Sequence, residues 1–270
     1  YSKKLEKMNL SNFESDLITG IYYLKSKNYD LAERYFLKLQ KRDSKFIIND
    51  FVSNSLLNWT SFKNVNLEIA QNKIGKINSR FESLKIIQNV FLHCFYDSNK
   101  AEFFFKSLST GEKIDFSRYN YFYASYLLGK GKINQAKKVI NTSLDLQPRN
   151  VLLNQYKIDL KNKRFEKNFD CQNLSHIVAE ILYITANALS SQDIYSLSNF
   201  YLNLSKYLNK NFHSFDTLLA ENFYKINNLE KAKKTYNDIG KRGEAFLWYA
   251  ALQNAKIYNK EEKNDKALKT

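Results

Sequence analysis

The sequence predicts an all-α fold in which antiparallel helix pairs stack into a solenoid. Small and large apolar residues recur at helical spacing along most of the chain. The second half also repeats itself with a period of about 34 residues, as repeat proteins built from helix pairs do. One proline and seven glycines occur among 270 residues, too few for flexible linkers between separate domains. We therefore expect a single superhelix over residues 1–270.

The period is clearest in residues 179–246, where small residues return at small positions and large residues at large positions. The four matched pairs, each one full period apart, are Ala186 and Ala220, Leu189 and Phe223, Ser198 and Ala232, and Leu202 and Tyr236. Within each segment the two small residues are twelve positions apart, and polar residues lie between them. This spacing predicts two helices of about 12 to 15 residues joined by a short turn.

The same template fits residues 13–46 and 117–150. Its small and large positions are occupied there by Gly20, Tyr23, Ala32, Phe36, Ala124, Leu127, Ala136, Ile140 and Ser143. The pattern resembles the tetratricopeptide repeat, which has Gly or Ala and a large residue in its first helix, then a small residue, an aromatic and often a closing proline such as Pro148. The resemblance implies a right-handed α-solenoid, a tetratricopeptide-like superhelix. In it, Gly20 and the matching alanines lie where paired helices approach closely.

Weaker copies of the template fill most of the remaining sequence. Residues 82–115 keep the register, although Asn89 stands where Gly or Ala is expected. Residues 47–80 predict another helix pair, whose register the sequence does not fix. Its apolar positions are Leu56, Leu57, Trp59, Leu67, Ile69 and Ile74. Residues 151–160 predict one helix, and the basic, polar stretch 161–173 lacks the pattern of a second, so segment 151–178 is the irregular part of the predicted solenoid.

The template restarts near the end of the sequence. Ala255, Tyr258 and Ala267 match it one residue late, and the sequence stops at Thr270 before a second helix is complete. Solenoids normally end in a repeat with a polar outer face. We therefore expect this chain to be a fragment of a longer protein.

The formal net charge of +15 raises the possibility of nucleic-acid binding. However, the chain contains 35 lysines against 7 arginines, together with 32 asparagines. Proteins that read nucleic acid favour the planar arginine side chain, and the basic residues here lie mainly in predicted turns and second helices. We expect no nucleic-acid partner, and a nucleic-acid-binding helical repeat stays the less favoured alternative.

Residue patterns typical of catalysis, metal binding and phosphate binding are missing. Three histidines and two cysteines are too few and too scattered for a typical structural zinc site. Cys94 and Cys171 are far apart in the sequence, so we expect no disulfide framework and a buried, apolar Cys94. The GKGK run at 129–132 falls at a predicted turn and lacks the spacing of a phosphate-binding loop. We expect no enzymatic activity, no cofactor and no metal.

No part of the sequence predicts a transmembrane segment. The most apolar stretch, residues 177–189, is interrupted by Glu180 and Asn187, whereas a spanning helix needs about 18 or more apolar residues.

The resemblance also implies a concave groove lined by the first helices of successive repeats. Where the register is firm, the lining positions are Arg118, Tyr121, Ser125, Tyr183, Asn187, Ser190, Thr217, Glu221, Tyr224 and Lys225. Tyrosine rings mixed with amide, hydroxyl and charged groups suit an extended peptide or a partner helix. We therefore expect a non-enzymatic scaffold that binds a protein or peptide. A regulatory or assembly domain of a larger protein, with its activity beyond residue 270, is the alternative.

Overall fold

The structure is a computed structural model that describes residues 2–42, 46–109, 117–164 and 167–269. Within these ranges the chain forms sixteen α-helices and two short 3-10 helices, and it contains no β-strand. The predicted all-α class is thus confirmed. None of the helices in these ranges is long and apolar enough to cross a membrane.

Seven of the described α-helices precede residue 110. They are α1 (Ser2–Lys7), α2 (Phe13–Lys25), α3 (Tyr29–Lys41), α4 (Ile47–Ser61), α5 (Leu67–Gly75), α6 (Glu82–Phe95) and α7 (Ala101–Ser109). The two 3-10 helices, Phe62–Asn64 and Ser79–Phe81, lie on either side of α5. The remaining helices are α8 (Ser117–Gly129), α9 (Ile133–Leu146), α10 (Val151–Lys161), α11 (Leu174–Ser190), α12 (Tyr195–Leu208), α13 (Ser214–Lys225), α14 (Leu229–Gly240), α15 (Glu244–Lys260) and α16 (Asn264–Lys269).

The chain packs into two compact units. Unit 1 consists of Tyr1–Ala101, Asp170–Thr185 and Asn203–Asn209. Unit 2 consists of Glu102–Phe169, Ala186–Leu202 and Lys210–Thr270. Each unit therefore combines parts of the chain that are distant in sequence, and the single superhelix over residues 1–270 stays a prediction.

Helices α2 and α3 form the pair predicted for residues 13–46, and they pack against each other in unit 1. Asn12 and Asn28 begin the two helices, and each side chain accepts a hydrogen bond from a backbone amide of the first turn. Gly20 lies so close to the Phe36 ring that an added Cβ would overlap it. The predicted close approach of the paired helices at Gly20 is confirmed.

The pairs α8 with α9 and α11 with α12 also have helices and turns where the template places them. Ala124, Ala136, Ala186 and Ser198 are all fully buried. Ser198 Oγ donates a hydrogen bond of 2.7 Å to the carbonyl oxygen of Ala186, which ties α12 to α11 within unit 2. The small positions of the template therefore lie in the core, as predicted.

Helices α13 and α14 form the last complete predicted pair. Ala220 and Ala232 are fully buried and belong to one hydrophobic cluster with Tyr236. The chain turns at Asn227, whose φ is 58°, a left-handed conformation that asparagine tolerates better than most residues. Asn228 then caps α14 by accepting a hydrogen bond from a first-turn amide. Two asparagines therefore end one helix and begin the next.

The segment predicted to be irregular, residues 151–178, includes α10 and the start of α11. Helix α10 ends at Lys161, and the described residues between it and α11 form no further helix. Helix α10 packs against α15 in unit 2. There Gln155 Oε1 accepts a hydrogen bond of 3.0 Å from the amide of Ala245 at the start of α15. A Cβ on the neighbouring Gly243 would overlap the Gln155 side chain, so the glycine leaves room for this contact.

The structure supplies the register that the sequence left open in residues 47–80. The buried residues of this helix are Ala70 and Ile74, whereas Ile69 is 46% exposed. Ala70 and Ile74 are four positions apart, as are Ala32 and Phe36 of α3. Because a step of one residue turns a helix by about 100°, burying Ala70 directs Ile69 away from the core.

The expected one-residue shift near the C-terminal end is wrong. Asn254 and Ile257 are buried in α15, while Ala255 and Tyr258 are half-buried. Asn254 lies one full period after Ala220, so the repeat continues into α15 without a shift. The sequence obscured this because the small template position holds an asparagine.

A disulfide joins Cys94 in α6 to Cys171 in the turn before α11, so the expectation of no disulfide was wrong. The two Cα atoms are 5.8 Å apart, and both residues belong to unit 1. The amide of Asp170 donates a hydrogen bond of 3.0 Å to His176 Nδ1, which helps hold the turn that carries Cys171. A sequence separation of 77 residues gave no signal of this pairing, because tertiary packing alone brings the two segments together.

Candidate binding surface on α13 and α15

Side chains of α13 and α15 form a surface of mixed aromatic and charged groups in unit 2. The Tyr249 hydroxyl donates a hydrogen bond of 2.6 Å to Glu221 Oε1. Lys260 Nζ lies 4.9 Å from the centre of the Tyr224 ring, within the range of a cation–π contact. The α13–α15 surface is defined here as Glu221, Tyr224, Lys225, Trp248, Tyr249 and Lys260.

Trp248 is the largest exposed apolar side chain of this surface, with 66% of its area accessible. Leu247 and Leu252 of the same helix are exposed as well. The other tryptophan of the chain, Trp59 in α4, is fully buried. Trp248 and Leu252 are four positions apart and so lie on one face of α15, and a group of exposed apolar side chains marks a surface that a partner can cover.

Two buried phenols stabilise the polar part of the surface. Burial raises the pKa of Tyr249, and the charge of Glu221 raises it further. The Tyr236 ring lies 5.8 Å from the Tyr249 ring, and its pKa is likewise raised by burial and by Glu221. Both phenols therefore keep their protons at neutral pH, and Tyr249 donates its proton to Glu221. This arrangement can hold a ligand through hydrogen bonds, ring contacts and lysine charges.

A buried hydrogen-bond network fixes the position of α13. Asn222 is fully buried, and its Nδ2 donates to Ser198 Oγ and to Asn199 Oδ1, both at 2.8 Å. Its Oδ1 accepts a hydrogen bond of 2.6 Å from Ser190 Oγ. Ser190, a predicted lining residue, therefore uses its hydroxyl proton inside the protein. The network sets how α13 lies against the neighbouring parts of α11 and α12.

The predicted lining residues of α8 make internal contacts instead. Tyr121 is 3% exposed, and its ring lies 4.8 Å from the Tyr156 ring and 5.4 Å from the Phe212 ring. Burial raises the pKa of Tyr121. Arg118 donates to Ser214 Oγ, and its guanidinium lies 5.0 Å from the centre of the Phe212 ring. Tyr121 is thus a core residue, because α8 packs its tyrosine face against other aromatic rings of unit 2.

The other predicted lining residues differ in accessibility. Ser125 is half-buried and donates to the Tyr156 hydroxyl at 3.3 Å. Thr217 is half-buried and donates to the Ser214 carbonyl oxygen at 2.8 Å. On α11, Tyr183 is half-buried and Asn187, one turn later, is exposed. Among the predicted residues, Glu221 and Tyr224 contact α15 side chains, and Lys225 is exposed at the end of α13.

The sequence did not predict the surface residues of α15, which are Trp248, Tyr249 and Lys260. Trp248 lies one full period after Ser214. Both match the repeat position of Arg118, which the resemblance assigns to the groove. The expected one-residue shift in this repeat hid that match. The unbroken period would have identified Trp248, whereas Tyr249 and Lys260 reach the surface through packing that the template does not specify.

Across the described ranges, no group of three or more His, Cys, Asp or Glu side chains is close enough to hold a metal ion. Comparison with known proteins found that no family model matches the chain and that no curated protein is similar to it in sequence. The function therefore has to be argued from the surface itself.

Proposed function

We propose that this chain is a tetratricopeptide-type solenoid that holds a polypeptide segment at the α13–α15 surface, without catalysing a reaction. The observation that carries the proposal is the exposure of Trp248 on α15, the helix whose Tyr249 and Lys260 contact α13 side chains. Tryptophan and tyrosine supply much of the binding energy at protein interfaces. They also lose little conformational entropy on binding, since each has two side-chain torsions.

Contacts at nearly the repeat period support the solenoid part of the proposal. The hydrogen bonds from Ser190 to Asn222 and from Tyr249 to Glu221 join residues 32 and 28 positions apart. Helix α14 packs against both α13 and α15. In a solenoid, each helix pair contacts its neighbours in this way, and contacts cluster near one period of sequence separation.

The charges of the surface indicate what kind of segment fits. Tyr249 already donates to Glu221, and Lys225 of α13 and Lys260 of α15 are exposed. An extended segment with an apolar side chain for Trp248 and a carboxylate for these lysines would complement the surface. The proposal therefore favours acidic peptides with one large apolar anchor.

The two tryptophans of the chain allow a direct test. Because Trp59 is buried, acrylamide quenching of the free protein should report mainly on Trp248. Peptides selected from a random displayed library would be titrated into the wild type and into Trp248→Ser. We expect bound peptide to protect the Trp248 emission from quenching. We also expect the substitution to weaken binding about tenfold or more, the effect of losing a central aromatic contact.

Phe103 supplies the matched control, because it is equally exposed, at 67%, but lies on α7. Phe103→Ser should bind the selected peptides as the wild type does. Peptides that bind the wild type and Trp248→Ser with equal affinity, both proteins being folded by circular dichroism, would show that the α13–α15 surface is not the binding site.

A further inference from the structure

Helix α1 and the turn after it expose lysine and apolar side chains side by side in unit 1. Lys4, Lys7 and Met8 are three and four positions apart and so share one face, and the Met8 amide continues the helical turn by donating 3.2 Å to the Lys4 carbonyl oxygen. The chain then turns at Asn9, whose φ is 55°, and Leu10 follows. Met8 is 56% exposed and Leu10 is 59% exposed. The α1 surface is defined here as Lys4, Lys7, Met8 and Leu10.

Contacts with α3 fix how α1 lies. Glu6 accepts a hydrogen bond of 2.5 Å from the Tyr35 hydroxyl and forms an ion pair with Lys38. The bonds from Lys38 and Tyr35 lower the pKa of Glu6, and the charge of Arg34 lowers it further. Each residue turns a helix by about 100°, so a helix held at Glu6 directs the α1 surface away from α3.

The lysines of the α1 surface carry positive charge that is not paired within the protein. Lys4 and Lys7 are exposed, and neither forms an ion pair within the described part of the chain. Glu6, the acidic residue of the same helix, is already paired with Lys38. An anionic partner therefore suits this face.

The apolar side chains favour a lipid surface over a peptide as that partner. Met8 and Leu10 are more than half exposed, so they stand out from the protein and do not form the wall of a pocket for a peptide side chain. Protruding apolar side chains can enter the boundary between lipid headgroups and acyl chains. Lysines beside them reach the anionic headgroups through their flexible stems. Because lipids move within the membrane, their charges need no fixed spacing to match the lysines.

We propose that the α1 surface binds reversibly to an anionic membrane as a peripheral contact. Met8 and Leu10 enter the headgroup boundary, and Lys4 and Lys7 lie at the charged headgroups. The proposal is independent of peptide binding at the α13–α15 surface, because the two surfaces share no residue. Failure of one leaves the other unaffected.

Vesicle flotation tests the proposal on the unmodified chain. Vesicles of phosphatidylcholine alone are compared with vesicles of equal parts phosphatidylcholine and phosphatidylserine. We expect the chain to float with the mixed vesicles and to stay unbound with phosphatidylcholine, since two apolar side chains bind too weakly without the charge attraction. Failure to bind the mixed vesicles, or equal binding to both kinds, would overturn the proposal.

A lysine double variant with a matched control assigns the charge attraction. Lys4→Gln with Lys7→Gln should weaken binding to the mixed vesicles about tenfold or more, because each lysine near an anionic surface contributes. Lys137→Gln with Lys138→Gln removes the same charge from exposed positions of α9 and should weaken binding less than about twofold, since salt screens distant charges. Equal losses in the two double variants would reduce the binding to general charge attraction and overturn the proposal.

An apolar double variant tests the insertion step. Met8→Ser with Leu10→Ser should weaken binding about tenfold or more. The control, Phe103→Ser with Leu146→Ser, changes side chains that are 67% and 78% exposed and should bind as the wild type does. An unchanged affinity of Met8→Ser with Leu10→Ser would overturn the proposal.

Polyglutamate distinguishes an acidic protein from a membrane as the partner. It offers the charge but no acyl boundary, so its binding should not depend on Met8 and Leu10. Polyglutamate binding that falls as much as vesicle binding in Met8→Ser with Leu10→Ser would identify an acidic protein as the partner and overturn the proposal. Circular dichroism checks that each variant is folded, and the two vesicle compositions decide the matter on the wild type even if a variant fails to fold.

Discussion

Gly20 lets α2 and α3 approach closely because it has no Cβ. Phe36 is fully buried against it, so the ring cannot move aside without opening a gap in the core. We expect Gly20→Ala to lower the free energy of unfolding by about 1 to 3 kcal/mol through overpacking. Gly75, at the end of α5, has open space where a Cβ would lie, so Gly75→Ala should raise that free energy by about 0.5 kcal/mol. Urea unfolding measures both, and a Gly20→Ala protein as stable as the wild type would contradict the packing described.

His93 is a second residue whose environment has a measurable consequence. It is buried in α6, with Nε2 2.9 Å from Gln71 Nε2 and Nδ1 3.1 Å from Ser98 Oγ. Burial lowers the pKa of His93 below its usual value of 6.5, and the charge of Lys100 lowers it further. Protonation therefore favours the unfolded chain. The stability contributed by a neutral His93 is complete above about pH 6.5 and is lost as the pH falls through the lowered pKa of the folded state.

We therefore expect the free energy of unfolding to decrease between pH 7.5 and pH 5, and His93→Gln to reduce the slope of that decrease. Glutamine keeps a polar side chain near Gln71 and Ser98 but does not titrate. The measurement is a series of urea melts across this pH range. Equal slopes for the two proteins would show that His93 does not contribute to the acid sensitivity.

At the scale of helices, the position of α13 depends on the amide of Asn222. Asn222→Ala would leave Ser190, Ser198 and Asn199 without this shared partner. We expect a loss of about 1 to 3 kcal/mol in the free energy of unfolding, because buried polar groups would become unpaired. Asn187→Ala, the same change at an exposed position of α11, should cost less than about 0.5 kcal/mol. Thermal melts that rank the two variants in the opposite order would argue against the network.

The helices also show which parts of the fold could be predicted from the sequence alone. The helix pairs followed from small residues such as Gly20 and Ala220, because only a small side chain fits where paired helices touch. The sequence could not assign Ile69 to either face of α5, because hydrophobicity alone does not specify which of several apolar residues packs inward. Asn254 was overlooked because a buried asparagine does not match a template of small residues, although it bonds to Asn237 at 2.7 Å.

The candidate site was harder to predict than the helices. Glu221 and Tyr224 were found because they are fixed by the register of α13, whereas Tyr121 has the same template role but is covered by aromatic rings from distant parts of unit 2. Burial of that kind depends on how helices from different segments pack. A repeat template describes contacts between neighbouring helices and carries no information on those packing partners.

For the molecule as a whole, the disulfide between Cys94 and Cys171 is the strongest covalent constraint described. It closes a loop over a sequence separation of 77 residues, and the chain-entropy account assigns about 4.5 kcal/mol of stabilisation to a loop of that length. We expect a reductant to lower the melting temperature of the wild type. Cys94→Ser should melt at the same lowered temperature as the reductant-treated wild type, whether or not reductant is present. Scanning calorimetry measures both melting temperatures. A wild-type melting temperature that does not change when reductant is added would contradict this role.

The same bond determines how the chain would respond to mechanical tension. A force applied at the two ends passes along the backbone directly from Cys94 to Cys171, so the backbone of helices α7 to α10 carries no tension while the bond is intact. Fully extended, that stretch would add about 270 Å of contour length, taking about 3.5 Å per residue. These four helices therefore cannot be pulled out end to end until a single bond is reduced.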